Sequence, residues 1–181
     1  MGVLETRRLL LEPWDVRHRP LWREMCLDPE VMRYIGTGQT WDSRQADEFL
    51  DDALVHWQEH GFGWRSVLEK PAGAWLGFVG LNYPGSDAVE ISPDEVEIGW
   101  WITRRAWGQG YATEGAAALG DEGFEQVGLD RIVARLQTAN VASARVAEKI
   151  GMRLERETTG RYDEPVLVYT LDRGDWRRPI K

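Results

Sequence analysis

Apolar and polar positions follow two rhythms along the chain, one typical of strands and one typical of helices. Strand-like alternation or short apolar runs occupy residues 8–12, 64–69, 75–81, 95–103, 131–137, 152–158 and 166–172. Helical spacing predicts helices over residues 15–27, 29–34, 43–61, 112–127 and 140–151. Because strands and helices are interspersed, the order predicts a mixed α/β sandwich, in the α/β (α+β) class.

Local signals place several boundaries of these elements. Asp28 is expected to cap a short helix whose first residue is proline, and Ser43 to cap a longer helix that stops at Gly61. Residues 70–73 have turn chemistry, which predicts an antiparallel hairpin between the strands on either side. Residues 83–94 combine two prolines, a glycine and several acids, and predict an exposed, flexible loop.

Residues 96–113 form the most informative segment, a strand pattern that runs through a basic turn with two glycines into a helix. Glycine lets a turn curl so that successive backbone N–H groups point into one concavity. The helix that follows adds unpaired amides and the positive end of its dipole. The segment therefore predicts a phosphate-binding turn.

Two familiar phosphate motifs can be compared with this turn. A Walker loop ends in Gly-Lys-Ser or Gly-Lys-Thr, and neither tripeptide occurs in the chain, which excludes nucleotide hydrolysis through that motif. A dinucleotide fingerprint needs a third glycine at the position of Thr113, so the Rossmann interpretation is weak.

The remaining spacing, Arg105-x-x-Gly108-x-Gly110, resembles the acyl-CoA-binding signature of the GCN5-related N-acetyltransferases, the GNAT family. The resemblance covers nearly the whole chain, through residues 97–100, 140–143 and 148–152, and the opening residues 6–11 are similar to the RimJ/RimL-like branch. It implies a single GNAT domain over residues 1–181. The expected fold is a mixed, mostly antiparallel central sheet of about seven strands flanked by about four helices.

The resemblance also implies an activity and a set of residues. The expected enzyme is an acetyl-CoA-dependent N-acetyltransferase in which a primary amine attacks the co-substrate acetyl-CoA directly in a ternary complex. Asn140 would hold the pantetheine amide, and Ser143 would lie near the sulfur and give a proton to the departing thiolate. The residues expected to bind acetyl-CoA are Trp101, Ile102, Thr103, Arg105, Gly108, Gln109, Gly110, Tyr111, Ala112 and Asn140.

Alternation along the strand places Glu95 and Glu97 on one face. A carboxylate there is a candidate base that takes the amine's proton, directly or through water, and Glu97 is the candidate. A solvated carboxylate on the face of a strand is the alternative interpretation.

Composition limits the partners. The 181 residues carry a net charge of −8, which argues against broad nucleic-acid binding and suits a cationic partner. The apolar runs are far shorter than the roughly 20 residues that span a bilayer, and the first residues lack a signal-peptide pattern, so a cytoplasmic protein without a membrane partner is expected. The single cysteine, Cys26, is expected to be a buried structural residue. His56 and His60 are expected to form a surface pair, and no metal site is expected.

Two alternatives stay open at this point. A catalytically silent acyl-CoA-binding module would keep the same turn. The sequence does not choose between a peptide N-terminus and a small-molecule amine as the acceptor. The resemblance implies that the acceptor site is built from a variable helical hairpin and its loop, here around residues 34–41. The oligomeric state, a homodimer included, is also open.

Overall fold

The computed structural model describes residues 2–85 and 88–177, in which one eight-stranded sheet is flanked by helices. The strands are β1 (Leu4–Glu5), β2 (Leu9–Pro13), β3 (Trp64–Glu69), β4 (Ala74–Asn82), β5 (Val96–Ile102), β6 (Arg131–Gln137), β7 (Arg153–Thr159) and β8 (Pro165–Asp172). The α-helices are α1 (Arg19–Cys26), α2 (Pro29–Met32), α3 (Ser43–His60), α4 (Tyr111–Asp121) and α5 (Val141–Lys149). The predicted fold class is confirmed, and the short strand β1 accounts for the strand beyond the predicted seven.

The sheet consists of two antiparallel parts joined by one parallel contact. Its strand order is β1-β2-β3-β4-β5-β6-β8-β7, and only the β5–β6 neighbours are parallel. The predicted hairpin around residues 70–73 joins β3 to β4. The parallel contact involves β5, the strand that leads into the turn with Gly108 and Gly110, called the glycine turn below.

The two faces of the sheet carry cores of different chemistry. Under α4 and α5 the core is mainly aliphatic, with Leu81, Ile98 and Leu119 among its members. Under α1 and α3 it is aromatic, and its fully or nearly fully buried rings are Trp14, Trp22, Trp64, Trp75 and Phe78. Trp41, Phe49, Trp57 and Trp101 pack against that aromatic core at its partly exposed margin. Most of the tryptophans therefore supply buried area.

Two glycines make room for one of these rings. Gly80 on β4 pairs with Gly99 on β5, and the ring of Trp64 lies across both. A Cβ atom added at Gly80 would lie 2.4 Å from that ring, and one at Gly99 would lie 2.5 Å from it. Glycine at position 99 is therefore a packing requirement of the strand that precedes the turn.

Most predicted helix boundaries are confirmed, and two are wrong. Asp42, not Ser43, caps α3, because its carboxylate accepts from the N–H of Gln45 at 2.9 Å while Gln45 Oε1 accepts from the N–H of Asp42 at 3.1 Å. The predicted stop at Gly61 is confirmed by its left-handed φ of 73°. The short helix α2 ends at Met32 rather than near residue 34.

The helix predicted over residues 112–127 ends at Val127 as expected, but its second half differs in helix type. The α-helix ends at Asp121 and continues as a π-helical turn over Glu122–Val127. That turn accompanies the burial of Glu122, whose carboxylate accepts from Arg65 Nε at 2.9 Å, with both side chains fully buried. Arg65 also donates to the carbonyls of Gly2 at 2.8 Å and Leu11 at 3.3 Å, so this ion pair ties the first strands to the helix.

The segment between β4 and β5 is more buried than predicted. Residues 86 and 87 of it lie outside the described part of the chain. Ile91 is only 7% exposed and packs with Val133 and Val168, and Glu90 is only 8% exposed. The expectation of an exposed loop over 83–94 is therefore wrong for this stretch, because Ile91 packs on Val133 of β6 and Val168 of β8.

The predicted surface pair of His56 and His60 is confirmed only in part. The rings of His56 and His60 lie 4.5 Å apart, and His60 is exposed, but His56 is half-buried. His56 Nε2 accepts from the N–H of Tyr83 at 3.0 Å, and its Nδ1 lies 2.9 Å from the carbonyl of Phe62. It therefore connects the end of α3 to the start of the β4–β5 segment rather than standing free on the surface.

Three further observations bear on the sequence predictions. Cys26 is fully buried, as predicted, and burial raises the pKa of its thiol. Within residues 2–85 and 88–177, no helix is both long and apolar enough to cross a bilayer, and no group of three or more His, Cys, Asp or Glu side chains is placed to hold a metal ion.

Candidate active site

The parallel strands β5 and β6 part shortly after they meet. Their pairing consists of Val96 with Ile132 and Glu97 with Val133. From Ile98 to Ile102, β5 pairs only with β4, so its other backbone edge faces a wedge between the two strands. An open strand edge is a template for an extended ligand. Trp101 and Ile102 lie on this edge, near its wide end.

The glycine turn follows directly at the wide end of the wedge. Gly108 and Gly110 have φ values of 72° and 81°, which residues with a Cβ rarely adopt. Gly110 is the N-cap of α4, and a Cβ at Gly108 would meet nothing within 4 Å. In the described chain, the N–H groups of Gly108, Gln109 and Gly110 donate no backbone hydrogen bond in the turn. Together with the first amides of α4 they can hold an anion.

Side chains brace the turn from within. Arg105 Nη2 donates to the carbonyl of Trp75 at 2.6 Å, and Gln109 Nε2 donates to the carbonyl of Arg105 at 3.1 Å. Trp107 Nε1 donates to the carbonyl of Ile102 at 2.6 Å. The Oγ1 atom of Thr103 is buried and has no hydrogen-bond partner among the described residues. Arg105 thus has a structural contact in addition to its predicted role.

The other side of the wedge is lined by the start of α5. Asn140 caps this helix, as its residue type predicts, and its Oδ1 accepts from the N–H of Ser143 at 3.1 Å. Trp100 Nε1 donates to Ser143 Oγ at 3.2 Å, a contact that spans from β5 to α5. Because Ser143 Oγ accepts this bond, its own hydroxyl hydrogen is free to be donated elsewhere.

Glu97 lies at the narrow end of the wedge in a charged group of three. Arg135 donates to its two carboxylate oxygens, from Nε at 3.1 Å and from Nη2 at 2.9 Å. Arg135 Nη1 also donates to Glu90 at 2.7 Å, and the Glu90 side chain is only 4% exposed. Burial lowers the pKa of the Arg135 guanidinium, but the two carboxylates outweigh this and raise it overall. This geometry holds Glu97 as an ion-paired carboxylate.

The segment between α2 and α3 approaches the same region from the aromatic face. Gln137 Nε2, at the end of β6, donates to the carbonyl of Gly36 at 3.3 Å. Trp41 packs on Trp101, with ring centroids 5.7 Å apart, and Phe49 stacks on Trp101 at 5.5 Å. The segment between α2 and α3 thus lies beside β5, opposite α4 and α5.

The structure groups the predicted residues in three places along one strand. Residues 101–112 lie at the wide end of the wedge, Asn140 and Ser143 lie across it, and Glu97 lies at its narrow end. Sequence reasoning missed the roles of Trp100, Arg135 and Glu90. Their residue types gave no local signal, because each contacts a partner that is 38 to 45 residues away along the chain.

Comparisons with known proteins agree with this geometry. A family profile described as an acetyltransferase (GNAT) domain matches residues 8–153. FsC-acetyl coenzyme A-N(2)-transacetylase from Aspergillus fumigatus is 28% identical, over 99% of this chain and 80% of that protein. A crystal structure of an acetyltransferase from Agrobacterium tumefaciens has a TM-score of 0.80 and 30% identity, and the match covers 94% of each chain. RimL, a ribosomal L7/L12 alpha-N-protein acetyltransferase in complex with coenzyme A, shares the fold, with a TM-score of 0.75, 19% identity and coverage of 94% of this chain and 98% of that one.

Proposed function

This chain belongs to the GNAT family of acetyl-CoA-dependent acetyltransferases, and we propose that it acetylates a primary amine by direct attack in a ternary complex. The single observation that carries the proposal is the parting of β5 from β6 immediately before a turn with two left-handed glycines. An extended arm fits the wedge and a diphosphate fits the turn. Acetyl-CoA combines these two parts in one molecule.

The donor end of the site fits acetyl-CoA through its main chain. The unpaired N–H groups of the turn and the first turn of α4 would bind the diphosphate. The free edge of β5 at Trp101 and Ile102 would pair with the pantetheine arm as an added strand. The amide of Asn140 would hold that arm from the other side while its Oδ1 caps α5.

Acetyl transfer forms a C–N bond, breaks a C–S bond, removes a proton from the amine and returns one to the thiolate. Ser143 would supply the second proton, because its hydroxyl hydrogen is free while Trp100 occupies its oxygen. Its place in the first turn of α5 also puts the positive end of the helix dipole near the developing thiolate.

Glu97 would receive the amine's proton through water. At pH 7 an α-amine costs about 1 kcal/mol to deprotonate and a lysine about 4.6 kcal/mol, so a weak base is enough for the first and inadequate for the second. Both oxygens of the Glu97 carboxylate already accept a hydrogen bond from Arg135, so only their remaining lone pairs are open to the amine or to a water. The arrangement at Glu97 therefore favours an acceptor amine of low pKa, such as a peptide N-terminus.

The proteins it resembles support two acceptor classes. RimL is named for the alpha-amine of a ribosomal protein, and the Aspergillus fumigatus relative for N(2) of FsC. In this chain the acceptor would approach from the aromatic face, between Trp41 and the narrow end of the wedge. An N-terminal peptide is the first candidate, and a small-molecule amine is the second.

The test is release of free thiol from acetyl-CoA against a panel of N-terminal peptides, N-acetylated control peptides that retain a lysine, and small amines. We expect saturable turnover with peptides that have a free N-terminus and little with the blocked peptides. Turnover only with small amines would move the chain to the second class. Binding of acetyl-CoA by calorimetry without thiol release from any amine would identify the silent acyl-CoA-binding module and overturn the proposal.

A further inference from the structure

The residues that open the chain contact the glycine turn, more than 100 residues away in sequence. Between β1 and β2, Thr6 Oγ1 donates to Glu114 Oε1 at 2.6 Å, and the backbone N–H of Arg8 donates to the same oxygen at 2.8 Å. Arg8 Nε donates to Glu114 Oε2 at 2.6 Å. Both oxygens of a carboxylate in the first turn of α4 are therefore held by this segment.

Arg8 reaches beyond Glu114 into the turn itself. Its Nη1 donates to the carbonyl of Gln109 at 2.9 Å, and its guanidinium lies 4.5 Å from the centre of the Tyr111 ring. Tyr111 in turn donates its hydroxyl to Glu69 at the end of β3. One side chain thus contacts the residue before Gly110, the residue after it and the acid of the following helical turn.

The contact of Arg8 with the Gln109 carbonyl fixes the orientation of the peptide plane between Gln109 and Gly110. In a trans peptide the C=O of one residue and the N–H of the next point in opposite directions, so a carbonyl held towards Arg8 aims the N–H of Gly110 away from it. Gly108 and Gly110 have left-handed φ angles and no side chain to restrict rotation of the peptide planes between them. Arg8 supplies that restriction.

The contact of Arg8 with Glu114 neutralises a negative charge that would otherwise repel a phosphate. A carboxylate in the first turn of a helix that binds an anion repels that anion at short range. Burial raises the pKa of Glu114, but the hydrogen bonds from Thr6 and Arg8 outweigh burial and lower it overall, so the group is ionised. Arg8, with its side chain 33% exposed, neutralises a Glu114 side chain that is 17% exposed.

We infer that Arg8 is a positioning residue for acetyl-CoA, which holds the Gln109–Gly110 peptide so that the N–H of Gly110 faces the diphosphate, with Thr6 and Glu114 as its support. The inference rests on the proposed function, since it takes the diphosphate of acetyl-CoA as the occupant of the turn. Arg8 makes its contacts through the protein and is not a catalytic residue.

The test compares Arg8→Gln with Arg7→Gln. Arg7 is the adjacent arginine, is exposed, and makes no hydrogen bond or ion pair with any residue of the described chain. Arg8→Gln should raise the Kd and KM of acetyl-CoA about 10-fold or more, and Arg7→Gln should change them less than 2-fold. Arg8→Lys should lie between, because an ammonium group lacks the fork that reaches Glu114 and Gln109 together.

A second substrate separates positioning from general damage. S-acetyl-pantetheine has the thioester and the arm but no diphosphate, so Arg8→Gln should leave its kcat/KM within 2-fold of the wild-type value. An equal loss with both donors, or an unchanged Kd for acetyl-CoA, would overturn the inference. If Arg8→Gln does not fold, Thr6→Val, which removes one bond to Glu114, takes its place with an expected 2- to 5-fold rise in the Kd of acetyl-CoA only. Failure of the wild-type protein to bind acetyl-CoA would overturn the proposed function instead.

Discussion

The two ends of β5 hold ligand-facing groups in opposite ways. At the wide end, the groups that face the wedge are backbone amides, and hydrogen bonds from side chains such as Arg8, Arg105 and Trp107 hold the turn in place. At the narrow end, the groups that face it are side chains, and Glu97 is already engaged by Arg135. A main-chain site can be recognised from glycines and spacing, whereas a side-chain site depends on which partners the fold supplies. The wide end is therefore specified by the sequence pattern far more directly than the narrow end, where we propose that the amine reacts.

Gly110→Glu is the change with the largest expected effect at the wide end. A side chain at a φ of 81° costs about 1–2 kcal/mol, and the added carboxylate repels the diphosphate. We expect the Kd of acetyl-CoA to rise at least 100-fold, measured by calorimetry. Gly61→Glu is the matched control, because Gly61 has a φ of 73° and open space around its Cβ position but caps α3. A similar loss of affinity in Gly61→Glu would show that strain alone explains the result.

Ser143→Ala tests the chemistry across the wedge. We expect kcat to fall about 10- to 100-fold with little change in the KM of acetyl-CoA, because the change removes a proton donor and no binding contact. Trp100→Phe keeps the ring and removes the N–H that Ser143 accepts. If the indole acts through Ser143, its substitution should lower kcat in the wild-type protein and have almost no effect in Ser143→Ala. Equal effects in both backgrounds would reduce Trp100 to a packing residue.

Glu97→Gln tests the narrow end. Arg135 keeps its contact with Glu90, so the fold should survive, and kcat at pH 7 should fall about 10-fold if Glu97 takes the amine's proton. The deficit should shrink above the pKa of the acceptor amine, where the amine is already neutral. Glu95→Gln is the control, since Glu95 lies immediately before β5 and pairs with Arg131 and the N–H of Ser92. A deficit that does not depend on pH would assign Glu97 a structural role.

The smallest expected effect concerns stability, at the segment that carries Glu90. Burial lowers the pKa of His56, partly offset by its bond to Phe62, so the unfolded chain binds a proton more readily than the folded one. Stability from His56 is therefore complete above pH 6.5 and is lost as the pH falls through the lower folded pKa, with a slope of at most about 1.4 kcal/mol per pH unit.

His56→Gln keeps an acceptor for Tyr83 and a donor for Phe62 without a titrating group. Denaturant unfolding between pH 7 and 5 should therefore show a shallower loss of stability in His56→Gln than in the wild-type protein. Burial also lowers the pKa of His18, so part of the slope should persist. His60→Gln, at the exposed neighbour, is the control. An unchanged slope in His56→Gln would show that the titration of His56 does not cause the loss of stability.

The fold was largely predictable because its signals are local. Apolar alternation located seven strands, and residue types such as Asp28, Gly61 and Asn140 marked helix ends through hydrogen bonds within a few residues. The misplaced cap at Asp42 also has a local cause, since Asp42 and Ser43 are both good capping residues and the deciding partner is Gln45.

The site was only half predictable, for a physical reason. Glycines and the strand before them indicate a phosphate turn without any distant partner. Arg8 contacts Glu114, Glu97 contacts Arg135 and Trp100 contacts Ser143. Each contact joins elements that are distant along the chain and that only the fold brings together, so no local pattern encodes it. Arg8 and Thr6 were noticed only as part of a family-like opening, and their role needed the fold.

The parting of β5 from β6 has a mechanical consequence. In the described sheet only two backbone residue pairs join the halves, and on either side β5 keeps its hydrogen bonds to β4 while β6 keeps those to β8. A small change of angle between the halves breaks no rung of either antiparallel ladder. In this sense the backbone hydrogen bonds divide the sheet into two ladders, and the short segment that joins them lies beside Glu97.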